Sequence, residues 1–174
     1  MLICGVDNGL DGGLVVLDGT KIVAREIMPT INVKDGKREY DSFSIIKIFQ
    51  QTKPEHVFIE RAQAMPGQGV TSMFSIGLGH GILRGILAGL ALPHTLVHPR
   101  TWQSIMFRDL PKTDTKAMSA IVSGRLWPTV DWRASPRCKK AHDGLTDAAL
   151  IAEFGRRTVA GNANCADELL KTSA

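Results

Sequence analysis

Four acidic residues stand where a core would normally exclude them. Asp7 closes the apolar run 2–6, and Glu60 closes the run 57–59. Asp143 and Asp147 are four residues apart, a spacing that puts both on one face of a helix, and Asp147 leads directly into apolar turns. Carboxylates at the edges of buried elements are costly to desolvate unless they are paired or bound to a cation. As a cluster they would repel one another, which calls for a cation. Oxygen ligands of this kind suit Mg²⁺, with Mn²⁺ as a substitute. Two such ions close together can activate a water and stabilise a leaving oxygen, which is the chemistry of phosphodiester hydrolysis. His142, next to Asp143, has three uses open to it: general base, metal ligand or phosphate contact.

Each residue also has an ordinary explanation. Asp7 precedes Asn8-Gly9 and could simply close a turn. Glu60 could form a surface pair with Arg61, and Asp143 could cap the helix it begins. Asp147 has the least innocent position, and the four acids carry more weight together than singly.

Charge points to a partner. The chain of 174 residues carries a net charge of +4. Between Arg100 and Lys140 lie nine basic residues against three acids, a surplus of six that exceeds the surplus of the whole chain. Such a concentration fits a polyanion, because each cation set against a phosphate releases counterions; the plainer alternative is a solvated basic face. Lys139 and Lys140 precede His142 and are candidates to steer a phosphate toward the acids. Arg100, Lys112, Lys116 and Arg137 are further candidate phosphate contacts. Trp102, Trp127 and Trp132 interleave with them and could stack on bases, although a core role is the expectation for at least two.

Other classes are disfavoured. Cys4, Cys138 and Cys165 are far apart and form no CxxC pair, which argues against a disulfide framework or a zinc site and suits a reducing cytosol. The start of the chain has no basic segment ahead of an apolar one. The most apolar stretch, 77–97, is interrupted by His80, Arg84 and His94, so no membrane span is expected. An apolar fraction of 44% supports one folded domain of ordinary size.

The acids need elements to hold them. Residues 2–6, 14–17 and 21–28 read as three strands joined by tight turns at Asn8-Gly9, Gly12-Gly13 and Asp18-Gly19. Residues 33–40 are polar and fit a loop or a short edge strand. Residues 41–51 have helical period with Asp41 as cap, burying either Phe43, Ile46 and Phe49 or Ile45 and Ile48. A buried strand follows at 56–60, then a loop at 61–70 and a long helix over 71–90. In that helix Gly77, Gly81, Gly85 and Gly89 share one face, where another backbone could approach. Packing within the domain is the expected use, with contact between two copies as the alternative. A strand at 95–97, a helical turn from Pro99, a helix over 115–127, a basic loop over 128–140 and a helix over 143–157 complete the domain. Residues 158–174 are expected to be a tail.

This order, three meander strands, helix, strand, long helix, strand and helices, is that of a ribonuclease-H-like α/β fold with a central mixed five-stranded sheet flanked by helices. In such a fold the first and fourth strands are neighbours, which would set Asp7 beside Glu60.

The segments GVDNGLDGG, VFIERAQAMPGQG, HPRTWQ and KKAHDGLTDAALIAEFG, in that order, resemble the RuvC family of Holliday-junction resolvases, and most of all its branch of phage and bacterial RuvC-like proteins and the chloroplast resolvase. The likeness runs from Met1 to Arg157. It implies a homodimer that nicks two strands of like polarity symmetrically across a four-way DNA junction, with divalent metal and no nucleotide cofactor. It further implies a role in DNA recombination and repair, in the cytoplasm of a bacterial or phage-infected cell. The family's first-strand Asp matches Asp7, its fourth-strand Glu matches Glu60, and two acids at the last helix match Asp143 and Asp147. In RuvC itself the last two acids are three apart rather than four. The third ligand is therefore open between Asp143 and His142. Competing expectations are a nuclease of the same fold on other branched DNA or RNA–DNA hybrids, a junction-binding protein without catalysis, and an ATPase whose phosphate loop would be GVDNGLDGG.

Overall fold

A computed structural model describes residues 1–63, 67–111 and 114–161. Its centre is a five-stranded sheet. Strands β1 (Leu2–Asp7), β2 (Gly13–Asp18) and β3 (Lys21–Ile27) form the antiparallel meander that the turn residues predict. Two short strands, β4 (Thr30–Asn32) and β5 (Arg38–Tyr40), pair in a separate hairpin around a 3-10 turn at Lys34–Gly36. The polar segment 33–40 is thus half of a small second sheet rather than an edge of the main one.

Helix α1 (Ser42–Thr52) follows, capped by Asp41, whose Oδ1 accepts from the Ser44 amide at 3.1 Å. It buries Ile45 and Phe49 while Phe43 is exposed, so the inward face draws one residue from each of the two stripes the sequence allows. Strand β6 (His56–Glu60) then runs parallel to β1, and β7 (His94–Val97) runs parallel to β6, giving the order β3-β2-β1-β6-β7.

Helix α2 (Val70–Gly89) connects β6 to β7. It is long and apolar enough to cross a bilayer by length and composition, yet Leu83 and Leu87 are committed to the core beneath the sheet. The expectation of intradomain packing for its glycines is overturned: a Cβ at Gly77, Gly81, Gly85 or Gly89 would meet nothing. That glycine row faces outward, because Leu83 and Leu87, not the glycines, carry the inward stripe.

Helices α3 (Pro99–Met106), α4 (Thr115–Leu126) and α5 (Asp143–Val159) cover the opposite face of the sheet. Helix α5 extends two residues past its expected end. All three tryptophans are buried on this side, Trp102 against Phe107 and Trp127 against Trp132. None is available to stack on a base.

Candidate active site

The register of β1 and β6 decides where the first two acids go. Val6 stands opposite Ile59, so Asp7 and Glu60 leave neighbouring strand ends together. Helix α5 brings the other two. It lies directly on β1 at Gly5, where a Cβ would come within 2.1 Å of the Ala148 carbonyl oxygen and 2.3 Å of the Ala152 nitrogen. Its first turn rests on the β1–β2 turn at Gly144, where a Cβ would be 2.4 Å from the Asp11 carbonyl. No side chain fits at either contact, and this closeness carries Asp143 and Asp147 to Asp7.

The electrostatics show that the acids form one group. Burial pushes Asp7 up to about 6, opposed by an amide bond from Gly9 and assisted by the Asp143 charge. Burial pushes Glu60 up to about 7, and the charges of Asp7 and Asp147 add to it. Asp147 also rises to about 7, mainly by burial, with Asp7 and Asp143 adding and Lys116 opposing. The Ser119 hydroxyl offsets part of that rise, although no hydrogen bond joins the two: the buried Oδ1 of Asp147 and Oγ of Ser119 are both unpartnered. Asp7 also closes a turn, its Oδ1 accepting from the Gly9 amide at 3.3 Å. The ordinary use and the clustering coexist.

Asp143 and His142 have other duties. The cap of α5 is His142, whose Nδ1 accepts from the Leu145 amide at 3.3 Å, so Asp143 is not the cap. Asp143 is half-exposed and pairs with Lys116 at 2.9 Å. Glu60 does not pair with Arg61; the indole Nε1 of Trp102 donates to its Oε1 at 2.9 Å.

Of the candidate phosphate contacts, Lys116 touches the acid group. Arg137, Lys139 and Lys140 are exposed on the loop leading into α5. Arg100 and Arg108 border a groove of about 470 Å³ between α3 and α4, floored by Phe107 and Met118. Lys112 lies outside the described residues.

Three residues at the site were not marked by sequence reasoning as part of it. Trp102 holds Glu60 and sits in the distinctive HPRTWQ segment, yet it reads as core. Asn8 reads as a turn residue but donates to the Glu60 carbonyl at 3.0 Å. Tyr40 lies close enough to Asp7 that the carboxylate adds to the upward shift of its hydroxyl, which is due first to burial.

Among the described residues no three His, Cys, Asp or Glu side chains stand close enough together, as placed, to hold a metal ion. A divalent cation nonetheless fits the donor chemistry. The oxygens are all carboxylate, burial and mutual repulsion disfavour their charge, and one buried oxygen has no partner.

No family model matches the chain, and no curated protein does. Solved structures do. RuvC from T. thermophilus in complex with a Holliday junction substrate superposes with a TM-score of 0.63 at 15% identity, over 92% of this chain and 97% of that one. The chain has the RuvC fold. The yeast mitochondrial Holliday junction resolvase matches with a TM-score of 0.55 at 14% identity, over 95% of this chain and 83% of that one. The fowlpox virus resolvase, solved with substrate Holliday junction DNA, gives 0.53 at 14% identity, over 91% and 99%. The ribonuclease-H-like architecture read from element order is therefore the observed one.

Proposed function

We propose that this chain is a divalent-metal-dependent endodeoxyribonuclease that resolves four-way DNA junctions by paired, symmetric nicks. One observation carries the reading. Asp7, Glu60 and Asp147 lie within electrostatic reach of one another, with raised pKa values and an unpartnered buried oxygen, on a fold shared with resolvases solved on junction DNA.

Asp7, Glu60 and Asp147 would hold Mg²⁺ or Mn²⁺, with Asp143 completing the set. A divalent cation there supplies Lewis acidity toward a phosphodiester and lowers the pKa of water. The chain's own residues prepare for it. Trp102 fixes one oxygen of Glu60 and leaves the other to turn toward the cluster. Lys116 neutralises Asp143 in the free protein and can exchange that partner for a phosphate. His142 keeps Nδ1 in the helix cap, so any proton it moves passes through Nε2. On this reading Asp143 is the third ligand and His142 serves the helix cap.

The DNA backbone would run over Arg137, Lys139 and Lys140 and along the groove of Arg100 and Arg108. Paired nicks need two sites, so the acting form is a homodimer. The outward face of α2, with exposed Val70, Phe74 and Leu78 beside the open glycine row, is the surface for a second copy. The cellular role is recombination and repair in the cytoplasm.

The test is cleavage of a labelled synthetic four-way junction, with Mg²⁺ and with EDTA, beside duplex and RNA–DNA hybrid controls. Paired symmetric nicks that need Mg²⁺ support the proposal. A preference for hybrid refutes junction specificity, and tight binding without cutting in Mg²⁺ or Mn²⁺ leaves a binding protein.

A further inference from the structure

Three elements meet at Asn8, the residue after Asp7. Its Nδ2 donates to the carbonyl of Glu60 at 3.0 Å and to Nδ1 of His80 on α2 at 2.9 Å. Both amide hydrogens are thereby spent, one on β6 and one on α2. The carbonyl of Asn8 accepts from the hydroxyl of Tyr40 on β5. Tyr40 in turn fixes how α2 crosses, because a Cβ at Gly79 would lie 2.3 Å from the Tyr40 ring. Arg38, two residues before Tyr40, pairs with Asp11 at 2.7 Å and ties the same hairpin to the turn that carries Asp7.

His80 must be neutral at Nδ1 to accept from Asn8. Burial, with the guanidinium groups of Arg84 and Arg61, holds its pKa below the ordinary value and favours that form. Leu83 and Leu87, one and two turns further along α2, are buried in the core. His80 is therefore a polar contact in the middle of α2, one turn before its buried leucines.

We propose that Asn8, His80 and Tyr40 are positioning residues that set the spacing of Asp7 and Glu60 and couple it to the seat of α2. The inference rests on the nuclease reading only for its activity measurement. Asn8 holds the backbone of Glu60 from the residue next to Asp7, so the two strand ends move as one unit. His80 fixes the rotamer of Asn8. A partner that loads the outward face of α2 then acts on the acid pair through a chain of two hydrogen bonds.

The experiment uses the full chain and His80→Ala, His80→Asn and Tyr40→Phe. In His80→Asn the Oδ1 stands near the place of Nδ1 and accepts the same bond. Mn²⁺ alone is the probe, followed by the paramagnetic resonance of the free ion, with thermal melts to establish folding. Nicking at saturating junction and junction affinity in EDTA are measured in parallel. His80→Ala should weaken Mn²⁺ binding about tenfold and slow nicking about tenfold, the usual cost of removing an outer-shell partner, with junction affinity unchanged. His80→Asn should recover both.

Unchanged Mn²⁺ affinity in folded His80→Ala overturns the proposal, as does a His80→Asn variant no better than His80→Ala. If His80→Ala fails to fold, Tyr40→Phe decides. It keeps the ring against Gly79 and loses only the hydroxyl, so weaker Mn²⁺ binding upholds the proposal and wild-type binding overturns it. A wild-type chain that binds Mn²⁺ but does not nick junctions ends the nuclease reading, and the Mn²⁺ series still decides this one. A wild-type chain that binds no Mn²⁺ ends both.

Discussion

Replacing Asp147 by Asn should make the metal-free protein more stable while removing its activity. Asp147 is largely buried, its Oδ1 has no partner, and its carboxyl is pushed from 3.8 to about 7. A shift of that size corresponds to about 4 kcal/mol at 1.36 kcal/mol per pKa unit. Water at the outer edge of the site, and neighbouring acids that titrate together, reduce the usable part to about 2 kcal/mol. The sign follows from proton linkage. Between pH 3.8 and about 7 the folded chain keeps a proton on Asp147 that the unfolded chain has lost. Stability therefore falls as pH rises through this window. Asn does not ionise, so its advantage is absent near pH 3, grows through the window and is constant above pH 7.

Melting temperature against pH in EDTA is the assay. For a chain of this length, about 2 kcal/mol is a rise of roughly 4–8 °C at pH 8. Saturating Mg²⁺ should reverse the order, because wild type gains about 2.7 kcal/mol at a hundred times the dissociation constant and the variant loses a ligand. A variant that melts at or below wild type in EDTA at pH 8 would refute the argument, since the buried charge would then not be a cost to the fold.

Four further outcomes follow from the geometry. Asp7→Asn should slow nicking by about a hundredfold or more and leave junction binding in EDTA intact, as read by gel shift. Gly5→Ala would set a Cβ 2.1 Å from the Ala148 carbonyl; overpacking of that kind costs about 3 kcal/mol, visible as a fall in denaturant midpoint. Lys116→Ala should leave stability nearly unchanged, because its pair with Asp143 is exposed. It should, however, lower junction affinity and reduce the salt slope by about 1. Trp102→Phe removes the hydrogen bond that lowers the pKa of Glu60, so the acid limb of the nicking profile should move to higher pH.

The sheet was legible because its strands obey strong local rules. Leu2, Ile3, Cys4 and Val6 form one short apolar run, and Gly12-Gly13 and Asp18-Gly19 mark the turns on either side of β2. The acids were legible for a related reason: Asp7, Glu60 and Asp147 are charges set into apolar sequence. The supporting contacts were not. Asn8 looks like any turn residue, and only tertiary structure brings it to Glu60 and His80, 52 and 72 positions away. The four-residue glycine spacing in α2 is real, but spacing gives a face and not its direction. Leu83 and Leu87 fall on the opposing stripe and win the core, leaving the glycines outside. His142 rather than Asp143 became the cap because an imidazole nitrogen accepts from an amide as a carboxylate would.

Helix α5 contains its own control for the meaning of the acid cluster. Glu153 is only 4% exposed, more deeply buried than any acid of the cluster, and it lies six residues beyond Asp147. Burial pushes its pKa up, but Arg156 at 2.7 Å and Arg157 at 2.8 Å bring it below its ordinary value. Two cations on the same helix thus neutralise a buried carboxylate where the fold needs one neutralised. Asp147 receives no such treatment. The charges that act on it are those of Asp7 and Asp143, of the same sign, and of Lys116, which is paired with Asp143. A structural acid would be paired like Glu153 or replaced by an apolar residue at little cost. An acid kept buried, unpaired and among other acids is either held neutral by a proton or stabilised by a cation from outside the chain, and the second is the state that the proposed metal-dependent nuclease needs.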